Sequence, residues 1–216
     1  MSDSKLANPA ALGLGGFAMT TFLLNFVNAG IVDAASLGMV LPVGLFYGGM
    51  AQFCAGMWEV KSGNTFGATC FSSFGAFWIA LATMIILETA GLLPAVPVEG
   101  MTLFLVAWGI FTGYATIASL KTSRALCAVF VTLTILFFLL AWGEYNATVK
   151  TIAGYEGILC ALIAWYCSAA VLINSTFGRE LLPLGHLSEQ IRNAPQPEAG
   201  GHFVLSLALH KLTPSI

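Results

Sequence analysis

Six stretches of the chain are apolar for about twenty residues at a time, and short polar breaks separate them. They cover residues 10–31, 37–58, 66–87, 101–120, 125–142 and 151–173. A helix rises 1.5 Å per residue, so about twenty apolar residues cross the hydrocarbon core of a bilayer, and each stretch predicts a transmembrane helix. The breaks hold the charges and turn formers: Asp33, then residues 59–63, 94–100, 121–124 and 144–150. Links this short predict that consecutive helices are antiparallel neighbours. The expected fold is therefore an all-α membrane protein, a helical bundle of six transmembrane helices. Residues 1–183 form the transmembrane domain in this reading. Beyond Asn174 the chain turns polar, with Pro195, Pro197 and the Gly200-Gly201 pair, so residues 184–216 read as a flexible cytoplasmic tail. The apolar run within residues 202–216 is too short to span.

Composition agrees with that pattern. The 216 residues are 58% hydrophobic and only 8% charged, and the mean hydropathy of +0.87 is far above that of a soluble domain. No room is left for a separate soluble domain of useful size. The opening residues lack a basic region and a small-residue cleavage site, so the first span is expected to be retained rather than removed as a signal peptide. The five cysteines, Cys54, Cys70, Cys127, Cys160 and Cys167, all fall within apolar stretches without ligand spacing. They read as small hydrophobes, and neither a disulfide, a metal nor a cofactor is expected. A net charge of −2 argues against nucleic acid as a partner.

Orientation follows from Lys and Arg. With the N-terminus in the cytoplasm, seven basic residues fall on that side (Lys5, Lys61, Lys121, Arg124, Arg179, Arg192 and Lys211) and one, Lys150, on the other. The expected location is the cell membrane, multi-pass, with both termini cytoplasmic.

Candidate chemistry concentrates in residues 63–78. Asn64 and Thr65 are good capping residues, so a helix start there leaves an anion-friendly group of backbone N–H donors. Cys70, Phe74, Phe77 and Leu81 then share one helix face, while Ser72, Ser73, Gly75 and Ala76 permit close approach by neighbours. The second stretch carries Gly44 and Gly48 four residues apart, which predicts tight helix contacts and a candidate subunit interface. No stretch contains Lys, Arg or His, and Glu59, Glu88, Glu144 and Glu156 are expected near segment ends, at the interface. What remains for a pathway is neutral: Thr20, Thr21, Asn25 and Asn28 in the first stretch, Tyr47 and Gln52 in the second, and Thr69, Ser72 and Ser73 in the third, with Thr132 and Thr134 in the fifth. Each of these also serves plain helix packing. As a lining they suit a small solute, polar at one end and apolar at the other. No nucleophile and base are spaced as a pair, so an enzyme is not expected. No internal repeat signals a rocking mechanism. The tripeptide Asn8-Pro9-Ala10 matches the box of water channels, but that architecture needs two boxes and a filter arginine, and this chain has neither.

Three motifs in order, residues 8–14 (NPAALGL), 46–52 (FYGGMAQ) and 63–78 (GNTFGATCFSSFGAFW), make residues 6–183 resemble the acetate uptake transporter family, also called the succinate/acetate permeases. The resemblance implies six helices per subunit, a ring of six subunits as a homohexamer, a separate pathway through each, and movement of acetate and sometimes succinate with protons. It places the narrow hydrophobic point at Phe17, Phe74 and Leu133. Asn8, Thr20, Thr21, Asn28, Tyr47, Gln52, Asn64, Thr65 and Ser73 are the candidate substrate-binding residues. Two departures stand out: Ala11 replaces a usual proline, and Phe74 replaces a frequent tyrosine whose hydroxyl could bond a carboxyl group. The alternative reading is a passive channel for neutral solutes such as ammonia or urea.

Overall fold

The computed structural model describes residues 6–185. Six helices are long and apolar enough to cross a membrane: α1 (Ala10–Asn28), α2 (Ala34–Lys61), α3 (Thr65–Thr89), α4 (Val98–Ser119), α5 (Arg124–Gly143) and α6 (Ala147–Phe177). The six expected spans are therefore present, with shifted ends. α6 in particular begins before residue 151 and ends after 173, because Asn146 starts it and Gly178 stops it. The Asn146 carboxamide oxygen accepts from the N–H groups of Thr148 and Val149, and Gly178 takes the left-handed conformation at φ 63°. Short polar side chains start three other helices in the same way. Asn8 accepts from Ala10, Asn64 from Gly67 and Ser123 from Leu126.

α2 is not a uniform helix. It opens with a 3-10 turn (Ala34–Ser36), continues as α-helix (Leu37–Val43), widens to a π-helix (Gly44–Ala51) and closes as α-helix (Gln52–Lys61). Pro42, with no N–H to donate, lies two residues before the widened part. The glycines that mark this helix serve contacts inside the subunit, which corrects the expectation of a subunit interface along them. A side chain at Gly48 would collide with Thr20 of α1, one at Gly56 with Ser72 of α3, and one at Gly49 with Ile79.

The helices pack in the order α4–α5–α6–α1–α2–α3 around the bundle. The first and last spans form the closest seam. Gly154 lies against the backbone of Ala29, and the Ser168 hydroxyl donates to the Ala11 carbonyl at 2.7 Å. Beyond α6 the chain folds back on α5: Tyr166 Oη donates to the Pro183 carbonyl, and the carbonyls of Leu184 and Gly185 accept from Ala125 and Arg124. Those two bonds satisfy N–H groups that the start of α5 would otherwise leave open. The remainder of the expected tail, including residues 202–216, lies outside the described residues.

One expected neighbour pair is loose. α3 and α4 are joined by a short link, yet they meet mainly through rings, Phe77 with Phe104 at 5.6 Å and Phe74 with Phe111 at 5.4 Å. Two cavities, of about 340 and 240 Å³, open between them. Bulky aromatic side chains on both faces hold the backbones apart where glycines elsewhere let them touch.

Candidate functional site

α1, α2, α3 and α5 surround a small central cavity of about 20 Å³, room for about one water. Leu14 and Phe17 come from α1, Gln52 from α2, Cys70, Phe71 and Phe74 from α3, and Val129, Phe130 and Leu133 from α5. Phe17, Phe74 and Leu133 thus meet around one point although 116 residues separate the first from the last. They are 5%, 3% and 4% exposed, so the point is closed.

Phe74 is the hub. Its ring lies 6.1 Å from Phe17, 5.9 Å from Trp108, 5.4 Å from Phe111, 6.3 Å from Phe130 and 6.4 Å from Phe137, centroid to centroid. Every neighbour is apolar at the ring, so this position offers an ion no compensation for lost water. The polar exception among the lining residues is Gln52, which is 1% exposed and whose carboxamide oxygen has no hydrogen-bond partner. A buried unsatisfied amide costs free energy unless something meets it.

A line of polar groups on α1 continues from Phe17 toward the end of that helix. Thr21 is buried with its hydroxyl unpartnered. Asn25 donates to the Thr21 carbonyl at 2.8 Å and accepts from Asn28 at 3.1 Å. Residues 17, 21, 25 and 28 follow helical spacing, so they occupy one face.

The other candidates lie elsewhere. Thr20 donates to the Gly16 carbonyl and fills the space left by Gly48, between α1 and α2. The Tyr47 hydroxyl reaches over Gly15, close to Ser168. Asn8 and Asn64 cap α1 and α3, and Asn64 also donates to the Glu59 carboxylate at 2.8 Å. Thr65 lines the larger cavity between α3 and α4, and Ser73 the smaller one. Neither borders the central cavity.

Sequence reasoning assigned no role to Phe130, Phe137, Trp108 or Phe111, the rings that back Phe74, because aromatic residues are common in membrane helices and spacing within one helix cannot show which rings from different helices meet. Asn25 was legible only as one of the neutral polar groups of the first stretch. Glu156, expected near a segment end, lies in the third turn of α6, with both carboxyl oxygens buried and unpartnered among the described residues. α6 starts at Ala147, four residues before the apolar stretch that begins at residue 151. Among the described residues, no group of three His, Cys, Asp or Glu gathers to hold a metal.

Known proteins carry the same pattern. The chain is 44% identical over 187 residues to the succinate-acetate/proton symporter SatP of Escherichia coli strain K12, covering 86% of this chain and 98% of that one. It is 36% identical over 170 residues to ammonia transport outward protein 2 of Saccharomyces cerevisiae, covering 75% of this chain and 60% of that one. The fold matches the solved structure of the bacterial acetate channel SatP with a TM-score of 0.81 and 44% identity, over 84% of this chain and 100% of that one. The match to the family extends over residues 1–187, and the chain belongs to the GPR1/FUN34/yaaH family.

Proposed function

We propose that this chain moves acetate and related small carboxylic acids, succinate among them, across a cell membrane, through a pathway within each subunit of a homohexamer. The observation that carries this reading is the closed apolar ring of Phe17, Phe74 and Leu133 around a cavity bordered by one buried amide. Such a ring excludes bare ions, which would shed water with nothing in return, and admits a small acid whose charge is cancelled by a proton. Relatives named for acetate transport support the substrate class.

Within that reading, the N-termini of α1 and α3, shaped by Asn8, Asn64 and Thr65, face the cytoplasm and attract carboxylate to the pathway. Gln52 meets the carboxyl group at the ring. Thr21, Asn25 and Asn28 form the polar route on the outer side. Thr20, Tyr47 and Ser73 are assigned to packing or to the pathway's surroundings. Both termini lie in the cytoplasm. Lys150, the basic residue on the outer side, is paired with Glu144 at 3.2 Å, so that face presents little free positive charge.

A cavity of this size also accommodates ammonia, and a relative carries that name. Purified protein in liposomes separates the two. Radiolabelled acetate uptake above that of protein-free vesicles, increased by an inward proton gradient, is the expected result. Flux of ammonia with no acetate uptake above that background would replace the reading.

A further inference from the structure

Glu156 lies nine residues into α6, about 14 Å from the helix start. Both carboxyl oxygens are buried, and neither has a hydrogen-bond partner. The next residue, Gly157, lets the Asn25 amide of α1 come so close that no side chain would fit. That amide is already engaged with Thr21 and Asn28. One turn further on, Cys160 faces α5, its sulfur 3.7 Å from the Val129 carbonyl, and the Thr132 hydroxyl of α5 donates to carbonyls of its own helix. Val129 in turn lines the central cavity.

No charge faces this carboxyl from the helices packed against it. α1 contains no ionisable residue, and on α5 those are Arg124 and Cys127, at the end of that helix away from Glu156. On α6, Cys160 is one turn away, Tyr155 points outward, and Lys150 is held by Glu144. An unpartnered carboxylate in such a place is very costly, whereas the neutral acid is tolerated. A structural role would normally bring a partner, and none is present among the described residues.

We propose that Glu156 is the proton carrier for acetate movement, an inference that rests on the reading of the chain as an acetate transporter. In the closed conformation the carboxyl holds a proton. When the outer half loosens, water reaching the Asn25 and Asn28 amides brings Glu156 into exchange with one face of the membrane. The proton leaves water on the first face, forms the O–H bond of the carboxyl, passes from there to the acetate carboxylate, and is released to water on the second face after acetate has crossed the ring as the neutral acid. The net charge moved is zero.

The test uses the full chain in liposomes, with acetate flux measured against an imposed pH gradient and, separately, an imposed voltage. Wild type is expected to respond severalfold to the pH gradient and not to voltage. Glu156→Gln, which keeps the shape and cannot release a proton, is expected to lose the pH response and most of the acetate flux, while Glu156→Asp keeps the wild-type pattern. A Glu156→Gln variant that retained the full pH response would overturn the proposal and leave acetate transport standing. Absence of acetate flux in wild type would instead remove the underlying reading. An infrared measurement covers the case in which the glutamine variant does not assemble. The wild-type protein should show the carbonyl band of a buried protonated carboxylic acid that shifts in Glu156→Asp and disappears as pH rises. The absence of that band at neutral pH would also overturn the proposal.

Discussion

At the scale of single residues, Phe74 combines two tasks that usually fall to different side chains. It packs with Phe17 and Leu133 around the central cavity, where the proposed pathway is closed, and it anchors a cluster of rings that ties α3 to α4 and α5. Phe74→Ala should therefore widen the ring and raise the ratio of lactate or succinate uptake to acetate uptake. It should also destabilise the protein by about 3–5 kcal/mol, as truncation of a buried aromatic does. Competitive uptake and thermal melting in detergent measure the two effects separately. Phe74→Tyr keeps the ring and adds a donor for a carboxyl group, so it should change the KM for acetate and leave the size limit in place. An unchanged lactate-to-acetate ratio in a well-assembled Phe74→Ala protein would move the selective point to the surroundings of Gln52. Gln52→Leu removes the buried amide at the same level, and the expected outcome is a higher KM for acetate with normal folding, read from saturation kinetics beside a melting curve. That Phe17, Phe74 and Leu133 lie together was implied only by the family resemblance, since spacing within one helix cannot bring residues of three helices to one point. The burial of Glu156 was not legible: hydropathy reports where a span is rich in apolar residues, and α6 outlasts its most apolar part at both ends.

At the scale of elements, the six spans were readable because a bilayer imposes one length on every crossing helix, while their interior irregularity was not. Nothing in the residues of α2 announces eight residues of π-helix, since each has ordinary helical backbone angles available and the widening is set by how Gly44 and Gly48 must meet α1 and α3. The glycine spacing did predict close contact, but it could not say with which partner. That partner is Thr20 for Gly48. Gly48→Leu should therefore disrupt the α1–α2 crossing, lowering thermal stability and the yield of assembled protein in detergent. Leu45→Ala, at a half-buried position of the same helix, should cost much less. Comparison of melting temperatures and gel-filtration profiles checks this, and equal behaviour of the two variants would place Gly48 against lipid.

At the scale of the whole molecule, the arrangement follows from a rule that the sequence cannot express: the first and last spans pack together, and the bundle closes as a ring of helices with its loosest joint between α3 and α4. Chain order gave close neighbours at four of the five links, and aromatic bulk defeated it at the α3–α4 joint. The direction of the bundle in the membrane is a different matter, because it rests on charge rather than packing. With α1 running outward, the links after α2 and α4 lie inside and hold Lys61, Lys121 and Arg124, and the link after α3 lies outside with no basic residue. Moving several Lys or Arg residues across the membrane during insertion is costly, so this asymmetry predicts cytoplasmic termini. Ser62, in the link between α2 and α3, and Ala95, in the link between α3 and α4, are both exposed and offer positions to test it. In a background lacking the five native cysteines, of which Cys54 is already exposed, Ala95→Cys should react in intact cells with a membrane-impermeant maleimide. Ser62→Cys should react only after the cells are opened. The reverse pattern would invert the bundle, carry the helix starts capped by Asn8 and Asn64 to the outer face, and place the polar route of Thr21, Asn25 and Asn28 on the cytoplasmic side of the ring.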